Sequence, residues 1–112
     1  VGTTVEQWNV LPAFRAYIGA NYPTALRYYL YYGEELIRAM AKAEGENLKN
    51  VYEEWGADIL IPVINLTQMG ETEKAYRLYA ESVLDFMGRY TPHLVNSAKQ
   101  AMTKSEGENL DE

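Results

Sequence analysis

The sequence predicts an all-α domain of about five helices, folded as antiparallel hairpins into a small bundle or a short solenoid. Three observations carry this. Apolar residues recur at three- and four-residue steps along most of the chain, and no stretch alternates as a strand would. Gly and Pro fall between those runs, at Tyr22-Pro23, Gly45, Gly70 and Thr91-Pro92. Finally, the pattern Met-x-Lys-[Ala/Ser]-Glu-Gly-Glu-Asn-Leu occurs twice, at 40–48 and 102–110, an offset of 62 residues.

Thr4-Val5-Glu6-Gln7 fits a capping box opening a short first segment. Pro12 restarts it and leaves Ala13, Phe14, Tyr17 and Ile18 on one face. After a turn at 21–24, the clearest helix runs over about 25–44. Leu26, Tyr29, Leu30, Gly33, Leu36, Ile37 and Met40 form its apolar stripe, with Glu34 and Arg38 as a favourable i,i+4 pair. Gly45 supplies its C-terminal stop.

A third helix is expected over about 46–69, with Pro62 kinking or dividing it because its ring removes a hydrogen bond and crowds the preceding turn. From 57 to 66 it is apolar nearly all round, which predicts the most buried element, with Asp58 and Asn65 inside it. The Asn65-Leu66-Thr67 sequon would then be buried. Gly70 ends this helix. A fourth, about 71–89, turns Tyr76, Tyr79, Val83, Phe86 and Tyr90 inward. Thr91 as N-cap and Pro92 at the first helical position open a fifth. The expected domain is 1–104, with 105–112 a frayed acidic tail.

At the same offset of 62, Ala13 meets Ala75, Arg15 meets Arg77, Tyr17 meets Tyr79, and Arg27-Tyr28 meets Arg89-Tyr90. The expectation is an internal duplication of 11–50 with 73–112, pairing the first helix with the fourth and the second with the fifth. The turn does not keep this register. Tyr22-Pro23 and Thr91-Pro92 differ by about two further helical turns.

Composition narrows the function classes. With 112 residues, 47% of them hydrophobic, the chain can bury one modest core. A net charge of −6 with singly scattered Lys and Arg argues against a nucleic-acid partner, which needs clustered cations. There are no cysteines, which rules out disulfides, zinc–thiolate sites and cysteine nucleophiles and leaves the compartment open. No apolar run approaches the roughly 20 residues of a membrane span. The chain opens on Val1, as a processed or excised chain would. Ten tyrosines against two phenylalanines favour half-buried helix faces and interfaces.

Gly70, Ala75 and Tyr79 carry a resemblance. A glycine ending one helix, then a small residue followed four later by an aromatic in the next, is similar to the second half of a tetratricopeptide repeat. The resemblance spans 57–90 and implies a helical hairpin in which Ala75 permits close approach. Upstream, Ile59, Pro62 and Val63 stand where that family has an aromatic and a Leu-Gly pair.

Glu34-Glu35 with Glu54 and Asp58 resembles the paired acidic helices of MazG-type nucleotide pyrophosphohydrolases, whose carboxylates hold magnesium. That resemblance implies a metal site at Glu34, Glu35, Glu54 and Asp58, with Arg38 where the first motif has its third acid. His93, the only histidine, has no neighbouring Ser or Asp in sequence to suggest a triad.

The leading expectation is a non-enzymatic interaction or assembly module. It has no catalytic, cofactor or metal residues, and self-associates or binds a protein through Tyr28, Tyr31 and Tyr32 of the second helix. The metal-dependent hydrolase is the first alternative. A bundle holding a small apolar ligand between the third and fourth helices is the second.

Overall fold

The computed structural model describes residues 10–108, and every regular element among them is helical. The expected capping box at 4–7 and Trp8 lie outside the described residues. Helix α1 spans Leu11–Asn21 and α2 spans Pro23–Glu44. A 3₁₀ turn, Gly45–Asn47, leads into α3, Leu48–Trp55. A π turn, Gly56–Leu60, then joins it to α4, Ile61–Gln68. Helix α5 spans Thr72–Tyr90, and a 3₁₀ turn, Pro92–Leu94, opens α6, Val95–Glu106.

Four helices of eleven residues or more are therefore continuous, rather than five. The expected third helix is in pieces, and Pro62 explains where it breaks. Pro62 has no N–H for the carbonyl of Asp58, and its ring crowds that carbonyl. The π turn immediately before α4 widens the coil at this place, so the chain divides without reversing direction.

The two sharp breaks are built alike. Tyr22 alone separates α1 from α2, and Thr91 alone separates α5 from the turn into α6. Each precedes a proline, which disfavours helical geometry in the residue before it. Their backbones nearly coincide, at φ −136°, ψ 53° and φ −135°, ψ 61°, and both are 1% exposed. Thr91 occupies the expected N-cap position, but its hydroxyl makes no capping bond. Its carbonyl instead accepts the Leu94 N–H at 2.9 Å.

The molecule is a slab with extents of 41 × 34 × 17 Å, about two helix layers thick. Helix α5 is its hub. The first half of α5 gives Ala75 and Tyr76 to a core with Phe14, Ile18, Tyr22 and Val63. Its second half gives Met87 to another, with Leu36, Met40, Leu94 and Ala98. Ala75 is fully buried, consistent with close helix–helix approach at a small residue.

The segment 57–66 is not the all-round buried centre. Val63 and Ile64 are fully buried, but Ile59, Leu60, Ile61, Pro62 and Leu66 are half-buried, and Asp58 and Asn65 are exposed. This arm packs chiefly against α5 and so keeps one side at the slab's edge. Nor does the fold fray at residue 105. Helix α6 continues to Glu106, and the side chain of Ser105 is fully buried.

Candidate functional site

Helix α2 positions most of the surface features with functional potential, because its four sides meet different surroundings. At 100° per residue, Tyr29, Gly33, Leu36 and Met40 turn toward α5. Tyr28 and Tyr32 turn toward α6, Ile37 toward α3, and Leu30, Glu34, Arg38 and Tyr31 are exposed to solvent. Of the large apolar side chains left strongly exposed, Ile37 (50%) and Tyr52 (40%) meet on the α3 side, and Leu30 (54%) lies two turns before Ile37 on the same face of α2.

Between α2 and α3 lies an apolar groove of about 140 Å³. Gly33, Ile37 and Met40 form one wall, Tyr52 and Trp55 the other, with Tyr79, Val83 and Phe86 of α5 as the floor. The floor is held by ring geometry. Trp55 and Tyr29 both meet Tyr79 edge to face, at centroid distances of 5.8 and 6.1 Å. Trp55 also donates to Ser82 Oγ at 3.3 Å. The Tyr79 hydroxyl donates to that of Tyr29 at 3.1 Å, and burial first, then Tyr29, pushes the Tyr79 phenol well above its ordinary pKa. Two ion pairs flank this face: Glu34–Arg38, and Lys49–Glu53 at 3.9 Å.

The expected tyrosine interface is divided. Tyr28 is used inside the fold, its hydroxyl donating to the Leu94 carbonyl at 2.9 Å and lying 2.6 Å from Ser97 Oγ. Tyr32 lies between Tyr28 and Tyr31, tilted against the first at 4.6 Å and edge to face with the second at 4.7 Å, and Tyr31 is 78% exposed. Of the three, only Tyr31 offers most of its ring to a partner.

The four acids of the magnesium resemblance are not brought together. Glu34 pairs with Arg38 and Glu35 with His93, while Glu54 and Asp58 line a separate cleft of about 260 Å³ beside Ser82 and the Asp85–Arg89 pair. Among the described residues no three His, Asp or Glu side chains form a set that could hold a metal ion. The reason is topological: Glu54 at the end of α3 and Asp58 in the π turn border α5 at Ser82, Asp85 and Arg89, whereas Glu34 lies on the solvent face of α2. His93, 65% exposed, meets Glu35 from across the α2–α6 junction, a pairing that no sequence spacing announces.

Between the expected third and fourth helices, the Glu54–Asp58 cleft mixes charged groups with the apolar side chains of Val51, Trp55, Ile59 and Phe86. A wholly apolar cavity of about 70 Å³ lies instead among α2, α5 and α6, beside Leu26, Ala80 and Ala98. Tyr76, stacked on Tyr22 at 3.8 Å, borders it, and burial pushes its phenol up to about 12. No helix among the described residues is long and apolar enough to cross a membrane.

Comparison with protein-family models, with curated proteins and with solved structures finds no match.

Proposed function

We propose that this chain is a non-enzymatic assembly module, and that two copies associate through the groove between α2 and α3. The observation that carries the reading is that exposed Ile37 and Tyr52 face each other across one groove with an aromatic floor, with exposed Leu30 two turns before Ile37 on the same face of α2. Scattered exposed apolar residues are ordinary, whereas a contiguous apolar patch with a polar rim marks an interaction surface. A second copy is the occupant that suits the charges. The chain carries a net charge of −6, so most of its faces repel a like molecule. This face is flanked by Glu34–Arg38 and Lys49–Glu53, one charge of each sign per pair, and a two-fold interface can set opposite signs against each other. The repeated 40–48 and 102–110 patterns and the tetratricopeptide-like features at Gly70, Ala75 and Tyr79 support a helical-hairpin origin by duplication.

Sedimentation velocity at tens of micromolar tests this. The wild type is expected to dimerise, and Leu30→Asp with Ile37→Asp to return it to monomer with its helical circular dichroism intact. Tyr31→Ser with Tyr32→Ser should leave the dimer in place. A strictly monomeric wild type, or a dimer broken by the tyrosine pair and not by the groove pair, would overturn the proposal.

A further inference from the structure

We propose that the apolar cavity among α2, α5 and α6 takes the hydrocarbon end of a small soluble amphiphile with an unbranched aliphatic chain. This site shares Tyr29, Tyr79 and Val83 with the α2–α3 groove but is walled by Ala98, Ala101 and Met102 of α6 where the groove has Tyr52 and Trp55 of α3, and it does not depend on that groove binding anything.

The cavity arises from residue size. Ala80 of α5 and Ala98 of α6 let the helices approach but cannot fill the space left beside Leu26 and Val83. Its wall presents essentially no polar atoms: the hydroxyls of Tyr29 and Tyr79 are occupied with each other, that of Tyr28 with the Leu94 carbonyl, and of these tyrosines only the buried Tyr76 hydroxyl is left without a partner among the described residues. A buried water needs two to four polar partners, so this space favours an apolar guest over water.

Volume sets the class of guest. An apolar cavity of roughly 150 Å³ accommodates benzene, and the present one holds about 70 Å³. A straight chain of a few methylenes suits it better than a ring. Met102 and Ala101 of α6 border the cavity and are part-buried, so a chain can enter past them. The unbranched thioether of Met102 can shift to admit a chain whose polar head stays in water.

The test is a titration with 1-alkanols from ethanol to hexanol, followed by the methyl NMR signals of Ala80, Ala98 and Met102. Saturable shifts are expected at these methyls. Affinity should rise about fourfold per added methylene until the chain outgrows the cavity. Ala101→Leu, which fills the space from its part-exposed edge, should abolish the response. Val83→Ala, which enlarges it, should admit benzene where the wild type does not. The two variants fail to fold for different reasons if they fail at all, so one remains informative. Affinity independent of chain length, shifts that persist in Ala101→Leu, or shifts centred on Ile37 and Tyr52 would each overturn the site. The last outcome would leave the groove reading standing, and a monomeric wild type would leave the cavity reading standing.

Discussion

The two copies of Glu-Gly-Glu share a sequence and not a structure, whereas the two proline breaks share a structure and not a sequence. In the first copy, Gly45 adopts φ 56°, ψ −125°, and Glu44 accepts the Tyr90 hydroxyl at 2.5 Å. In the second, Gly107 stays helical at φ −71°, and Ser105 and Glu108 turn back onto the start of α2. There Ala25 N–H donates to Ser105 Oγ at 2.6 Å, Thr24 N–H to Glu108 Oε1 at 3.1 Å, and the Thr24 hydroxyl to Oε2 at 2.8 Å. Pro23 leaves α2 without a local side-chain cap, and the second copy supplies one from more than eighty residues away. Tyr22-Pro23 and Thr91-Pro92, out of register with the repeat, agree closely in both backbone angles. A proline constrains its predecessor directly, while a polar motif takes the conformation its partners allow.

The largest expected contrast is between the methionines that open the two copies. Met40 is 2% exposed in the second core, whereas Met102 is part-buried beside a cavity. Met40→Ala should cost about 2–5 kcal/mol and Met102→Ala about 1 kcal/mol by urea unfolding. Equal losses would mean that the two copies are equivalent after all.

The glycines come next. Gly45 occupies a backbone region essentially reserved for glycine, so Gly45→Ala should cost about 1–3 kcal/mol, though a Cβ there meets nothing within 4 Å. Gly107→Ala, at an ordinary helical φ, should fall within about 0.5 kcal/mol of the wild type. A neutral Gly45→Ala would show that the first copy also tolerates the helical form.

Exchanging Ala43 and Ser105, one of the two positions at which the copies differ, sharpens the comparison further. Ser105→Ala leaves the Ala25 N–H without its acceptor and should cost about 1–2 kcal/mol. The matching Ala43→Ser, on an exposed position, should change stability by less than about 0.5 kcal/mol.

The smallest effect is a pH dependence. Hydrogen bonds from Thr24 hold the Glu108 carboxyl below its ordinary value of 4.5. A carboxyl depressed in the folded state stabilises the protein above its unfolded pKa, and that stabilisation disappears as pH falls through the folded value. Glu108→Gln should therefore lower the melting temperature slightly at neutral pH and less in acid, flattening the acid limb of the stability profile. Glu44, held low chiefly by Tyr90, gives a limb of the same sign that survives in this variant. An unchanged acid limb in Glu108→Gln would remove Glu108 from the cap.

Much of the helical layout was legible because its signals are local. The stripe from Leu26 to Met40, the breaks before Pro23 and Pro92, and the stops at Gly45 and Gly70 each depend on a few adjacent residues. The candidate site was less so. Its helix could be named, since α2 carries more large apolar residues than one buried stripe accommodates. Which of them stay exposed depended on α6 covering Tyr28 and α3 leaving Ile37 open.

The sequence by itself determined the helical class, the ends of α2 and the break at Pro62, through period, glycine conformation and the missing proline N–H. Tertiary structure decided that α5 and not the 57–66 segment is the hub. It also decided that the four acids stand apart, and that two identical motifs serve different ends. Those outcomes depend on which surfaces meet across many residues of chain, and neither hydrophobic period nor motif spacing encodes that pairing.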